Sequence, residues 1–179
     1  MKVLKFGGTS VGKVEGLLNL KKIALSQEDT TIIVVSALTK VTDKLLEATQ
    51  LAKEGNEAYK QVFNDIVEAH RNLTNAVLPT ETMRMEVMCN IEKLLSELAN
   101  ILHGVCLIKD VTPKISDVIL SYGERCSSIL VGKLIDDAVV KDSRKFIKTE
   151  KKNDKAAVNY AVTNALIREN FAEKGMVYL

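Results

Sequence analysis

Apolar positions change period several times along the chain, and each change marks an element. Val3, Leu4 and Phe6 open a short strand that stops at the adjacent glycines Gly7 and Gly8. Val14, Leu17, Leu20 and Ala24 then recur at helical spacing through about residue 27. Thr30 to Ser36 is a nearly unbroken β-branched run, the pattern of a parallel strand buried on both faces. Strand, helix and strand over this length predict a βαβ unit with a right-handed crossover.

Helical spacing dominates the middle. Thr42 and Asp43 offer N-cap chemistry, Leu45, Leu46, Ala48 and Leu51 carry the helix that follows, and Gly55-Asn56 ends it. Val62, Ile66, Leu73 and Val77 stripe a longer helix that stops at Pro79. Thr80 to His103 follows, with Val87, Ile91, Leu94, Leu95, Leu98, Ile101 and Leu102 on one face, and Gly104 is expected to break it. Residues 42 to 103 therefore predict a helical excursion hung on a sheet. Pro113 near Ser116-Asp117 starts another helix, broad in its apolar face, with Gly123 in its interior. Ala138-Val139-Val140 reads as a short strand, Ala156 to Asn170 as a helix, and Met176 to Leu179 as a last strand. The sequence stops inside that apolar run. In open α/β sheets ligands sit beyond the carboxyl ends of the strands, so a fragment cut at the lip of its own site is expected.

Composition narrows the classes of function. The 179 residues are 46% hydrophobic, enough for one domain-sized core. Basic and acidic residues, 25 against 23, leave a net charge of +2, which argues against a dedicated nucleic-acid surface. The lysine-rich run from Lys141 to Lys155 reads as a solvated connection. Cys89, Cys106 and Cys126 form no C-x-x-C pair, and His70 and His103 are too few for a histidine metal cluster. No apolar run approaches the ~18 residues of a membrane span, and no signal peptide opens the chain. A reduced, cytoplasmic, soluble chain without nucleic-acid or membrane partners is expected.

Chemistry concentrates at the first strand–turn–helix junction. Adjacent glycines let the backbone turn sharply and approach a ligand, and the freed amides suit a phosphate or carboxylate. Lys5 adds a cation on the strand face opposite Leu4 and Phe6. The dinucleotide pattern G-x-G-x-x-G does not fit, because Gly7 and Gly8 are adjacent. Gly7, Gly12 and Lys13 match the Walker A spacing, but Val14 stands where that loop needs a hydroxyl for magnesium. Thr9 and Ser10 read as caps of the first helix, a role compatible with anion binding. Ser36, at the end of the second strand, reads in isolation as a turn former.

Lys5-Phe6-Gly7-Gly8-Thr9-Ser10-Val11 resembles the opening motif of the aspartokinases, members of the amino-acid kinase superfamily. Ser36-Ala37-Leu38-Thr39-Lys40-Val41-Thr42-Asp43 resembles the family's second motif, and Ser121-Tyr122-Gly123-Glu124-Arg125-Cys126-Ser127 its third. Asp142-Ser143-Arg144 also matches a family segment, although Asn153-Asp154 stands where the family often has Phe-Gly. The resemblance implies an α/β fold of three αβα layers around an open, mostly parallel sheet, like that of carbamate kinase. Residues 1–179 would be the N-terminal, amino-acid-binding lobe of the catalytic domain.

The implied activity is transfer of the ATP γ-phosphoryl group to the side-chain carboxylate of L-aspartate, with Mg²⁺, on the route to lysine, threonine and methionine. By resemblance Lys5 contacts the nucleotide phosphates as the catalytic cation, with Gly7, Gly8, Thr9 and Ser10 as the phosphate-binding turn. Ser36, Thr42 and Glu124 would hold the substrate, Glu124 through its α-ammonium group, while Cys126 is core and Lys40 receives no role. A carboxylate nucleophile is already ionised near pH 7 and needs no general base. The family's adenine-binding part and second lysine are missing, so this chain alone is expected to be inactive. The start of the chain favours a bifunctional aspartokinase–homoserine dehydrogenase parent, an expected homo-oligomer, using NADP(H) in its absent dehydrogenase. The alternatives are a related glutamate, acetylglutamate, carbamate or UMP kinase, or a non-catalytic amino-acid-binding module.

Overall fold

The computed structural model describes residues 1–135, 138–152, 155–171 and 176–179. Strand β1 (Lys2–Phe6) leads through a one-turn helix α1 (Gly8–Val11) and α2 (Val14–Leu25) to β2 (Thr31–Val35). Four helices follow: α3 (Val41–Lys53), α4 (Tyr59–Val77), α5 (Glu81–Ile108) and α6 (Pro113–Leu134). A 3-10 turn at Ser143–Lys145, strands β3 (Thr149–Lys152) and β4 (Lys155–Val158), helix α7 (Tyr160–Asn170) and β5 (Val177–Tyr178) complete the order.

β1 and β2 pair in parallel, Lys2 opposite Thr31 and Phe6 opposite Val35, as the βαβ reading requires. β5 joins the far side of β2 in parallel, opposite Thr31 and Ile32 only, so β2 is central and its last residues have a free edge among the described residues. Alternation then sorts the two faces. Ile33 is sealed in the core with Phe6 and Val35 packed beside it. Val3 and Val34, with Lys5 between them in register, stay 64% and 45% exposed on the opposite face. One side of the open sheet thus carries the core, including Leu17, Leu20, Leu45, Ile66, Ile91, Leu98, Ile119 and Leu130. Each such side chain contributes about 1.5–3 kcal/mol of burial.

The helical excursion begins and ends where tertiary contacts allow, not where single residues suggest. Helix α5 passes through Gly104 and stops only at Lys109, whose left-handed φ of 57° turns the chain. Glycine costs a helix about 1 kcal/mol, less than the burial of Leu102 and Val105 on either side returns. Thr80 caps α5 by accepting from the Met83 amide, and Thr112, not Ser116-Asp117, caps α6 by accepting from Ile115. At α3 the expected caps fail: the helix starts at Val41, so Thr42 and Asp43 lie inside its first turn.

The C-terminal third departs most from expectation. Val139 forms a single parallel bridge to Tyr178 rather than a strand. The predicted helix from Ala156 begins only at Tyr160, behind an Asn159 cap, because Lys155–Val158 pairs antiparallel with Thr149–Lys152. The described part of the lysine-rich run is therefore structured, and Phe146 within it is buried. Phe146, Phe171 and Tyr178 meet edge-on at 5.1 and 4.8 Å, tying the end of α7 to β5.

A pH dependence is built into α4. His70 is fully buried, its Nδ1–H donating to the Ile66 carbonyl at 2.8 Å, and its Nε2 has no partner among the described residues. Burial holds the imidazole below its ordinary pKa of 6.5 despite that backbone bond. The unfolded chain therefore binds a proton that the folded chain refuses. Stability from this group is complete above about pH 6.5 and is lost as the pH falls towards the depressed folded value. Denaturant melts from pH 7.5 down to 5 (about the range in which free imidazole titrates) should show a decline that His70→Leu flattens. An unchanged slope would contradict the assignment.

Candidate functional site

The ends of β1 and β2 are locked side by side, because the Ser36 amide donates to the Phe6 carbonyl at 3.1 Å. This brings the Gly7-Gly8 turn against the loop that leaves β2. A methyl added at Gly8 would stand 3.2 Å from the Ala37 carbonyl oxygen. The Thr39 hydroxyl donates to the Gly8 carbonyl at 2.8 Å, and a methyl at Gly12 would collide with Thr39, 2.1 Å from its Oγ1. Glycine is thus required at residue 12 so that the two loops can touch.

The loop is also tied to α6. Ser127, fully buried, donates to the Ser36 carbonyl at 2.7 Å, one helical turn beyond Glu124. At Gly123, in the interior of α6, the close approach is made by the protein itself: an added methyl would lie 2.7 Å from the Ala37 Cβ. Hydroxyl–carbonyl bonds therefore fasten the loop after β2 to the glycine turn at one end and to the Glu124 helix at the other.

Between these elements lies a cavity of about 400 Å³, lined by Gly8, Thr9, Ser36, Ala37, Leu38, Thr39, Lys40, Thr42, Asp43 and Glu124. The structure brings together Gly8, Thr9, Ser36, Thr42 and Glu124 from the sequence-based set. Gly7, Ser10 and Lys5 do not line it. Ser10 turns its backbone to α2, where a methyl on Gly16 would meet the Ser10 carbonyl oxygen at 2.1 Å. Thr9 and Ser10 do not cap: Gly7 is the N-cap of α1 and Lys13 that of α2, neither with a side-chain cap bond. Lys5 is exposed on the open sheet face, one residue before the strand end, with no ion pair among the described residues.

Thr39, Lys40 and Asp43 were not among the site residues expected from the sequence. A usable signal existed, since Thr42 and Asp43 both suit an N-cap that only one could occupy. The left-handed φ of 65° at Lys40 starts α3 without either of them, leaving both side chains for the cavity.

Neighbouring charges are already matched. Arg125 lies over the Tyr122 ring at 4.2 Å and pairs with Glu97 at 3.4 Å, so it is engaged away from Glu124. Arg144 forms two-pronged contacts with Asp142, Nε to Oδ1 at 2.9 Å and Nη2 to Oδ2 at 2.6 Å. Those hydrogen bonds hold the Asp142 carboxyl below the usual carboxylate range. The match at Asp142-Ser143-Arg144 is thus a self-paired clip, and Asn153-Asp154 lies outside the described residues. Cys126 is sealed in the core, where burial pushes its thiol up to about 12 and leaves it protonated and unreactive.

As to partners of the fold, the Ser10 and Val11 amides already donate to the Gly7 carbonyl at 2.9 and 3.1 Å, so at the start of α1 it is the Gly8 and Thr9 amides that suit phosphate oxygens. Among the described residues no group of three or more His, Cys, Asp or Glu could hold a metal ion. No helix among them is long and apolar enough to cross a membrane.

A parallel sheet with a polar cavity at the carboxyl ends of its strands defines an α/β protein with a candidate ligand site, the architecture expected from the sequence. The chain belongs to the amino acid kinase family, whose model matches residues 1–179. It is 31% identical to an aspartokinase of Candida albicans over 144 residues, covering 75% of this chain and 26% of that protein. It is 29% identical over 140 residues to a bifunctional aspartokinase/homoserine dehydrogenase of Buchnera aphidicola, covering 75% and 17%. Crystal structures of E. coli aspartokinase III superpose with TM-scores of 0.79 (with lysine and aspartate) and 0.78 (with aspartate and ADP), at 24% and 25% identity. Each covers 99% of this chain, which spans 40% of that one.

Proposed function

We propose that this chain is the amino-acid-binding, N-terminal lobe of an aspartate kinase, which transfers the ATP γ-phosphoryl group to the side-chain carboxylate of L-aspartate. The observation that carries the reading is a cavity that joins the glycine turn to Ser36, Thr42 and Glu124. The aspartate and ADP bound in the E. coli enzyme support it.

In this reading Glu124 takes the α-ammonium group, and the Ser36 and Thr42 hydroxyls orient the amino acid against the glycine turn. Two anions must then approach each other, so cancelling charge is the main catalytic task. Lys5, Gly7, Gly8, Thr9 and Ser10 supply a cation and a close backbone at the strand end, where nucleotide phosphates approach over the open sheet face. The acceptor carboxylate is ionised and needs no base. Mg²⁺ would arrive on the nucleotide phosphates, where it neutralises charge. The remainder of the enzyme supplies the adenine site, so the lobe alone binds without turning over. A homo-oligomeric parent with an attached homoserine dehydrogenase, using NADP(H), extends the proposal, as does a cytoplasmic location.

Titration of the chain with L-aspartate and L-glutamate, read by amide NMR shifts, tests the reading. Saturable shifts at Ser36, Thr42 and Glu124 with aspartate preferred are expected. Equal or stronger response to glutamate would favour a related kinase instead, and no response to either would remove the acceptor site.

A further inference from the structure

We propose that Lys40 is a specificity residue that binds a carboxylate of the acceptor amino acid, an inference resting on the reading of the cavity as an acceptor site. Among the described residues Lys40 is the one Lys or Arg in the cavity wall, which otherwise carries the carboxylates of Asp43 and Glu124. An amino dicarboxylate brings one ammonium and two carboxylates. A wall of acids alone would hold the ammonium and repel the rest. Lys5 cannot supply the missing charge within that wall, because it lies outside it.

The backbone adds an independent reason. Lys40 sits at φ 65° and ψ −2°, a left-handed conformation disfavoured for any residue with a Cβ. The conformation is imposed from both sides: Thr39 is bonded to Gly8, Val41 N donates to Leu38 O at 3.0 Å, and Lys44 N donates to Lys40 O at 3.0 Å. Glycine or asparagine would suit such a position better, so the backbone does not account for a lysine there. Nor does local pairing. Lys44, one turn on, is paired with Asp65 at 2.5 Å, whereas no hydrogen bond or ion pair occupies the Lys40 ammonium among the described residues.

Lys40→Ala, Lys40→Gly and Lys40→Arg, each in the full chain and titrated with L-aspartate, separate charge from backbone. If Lys40 binds a carboxylate, alanine and glycine both weaken binding about tenfold, and arginine stays within about threefold of the parent. The salt dependence of binding also falls in the alanine and glycine variants. Thermal melts should show Lys40→Gly at least as stable as the parent, since glycine accepts the left-handed turn. A position that acts only through its backbone gives the opposite order: glycine binds like the parent, while alanine and arginine behave alike. That order, or unchanged binding in Lys40→Ala, overturns the assignment. A parent chain with no saturable response to aspartate overturns the acceptor site itself, so the two failures are distinguishable.

Discussion

Lys5→Ala, in the complete kinase proposed here, is expected to lower kcat for phosphorylation of L-aspartate about a hundredfold or more, with KM for aspartate changed less than about twofold. The reason is positional. Lys5 stands on the open face of β1, outside the cavity that gathers Ser36, Thr42 and Glu124, so its removal takes away no acceptor contact. It is exposed and unpaired among the described residues, so folding should be nearly indifferent to it. Its loss would be felt where charge builds on the transferring group. Steady-state kinetics with each substrate varied would decide. A rise in KM for aspartate as large as the fall in kcat would place Lys5 at the acceptor instead.

Glu124→Ala is expected to raise KM for aspartate roughly ten- to hundredfold while leaving kcat within a few-fold, the range of a hydrogen-bonded charge pair shielded by its ligand. Glu124→Gln separates charge from hydrogen bonding, and most of the loss should persist in it. The geometry favours a clean result, because the neighbouring Arg125 is already engaged by Glu97 and the Tyr122 ring. Glu124 is exposed on its helix, so the fold does not depend on burying it. A kcat loss matching that of Lys5→Ala would dissolve the division of labour between the two residues.

Much of this architecture was legible in residue order. The β-branched run at Thr31–Val35 and the stripes of α3 to α6 carry long, consistent periods, and repeated burial on one face makes such periods reliable. Single-residue punctuation was less so. Gly104 reads as a break, yet the apolar stripe continues through Val105 and Cys106 and holds α5 together. Ala156–Val158 has no strong preference of its own, and its antiparallel partner Thr149–Lys152 settles it as strand. Such choices depend on a neighbour distant in sequence.

The candidate site divides along the same line. Residue order alone determined the glycine turn beside a lysine, the serine closing the second strand and an acidic residue after a helical glycine. Those are local chemistries, written in adjacent positions. Only the tertiary structure decided which of them share a cavity: Glu124 joins Gly8 and Thr42, while Lys5 lies outside its wall, on the sheet face opposite Phe6. It also decided that Thr42 and Asp43 are released from capping and that Lys40 enters the wall in a left-handed turn. The physical reason is that strand alternation and loop-to-loop bonds such as Thr39 to Gly8 assign side chains to faces. Two residues 31 apart meet through one hydroxyl, a contact that no local pattern encodes.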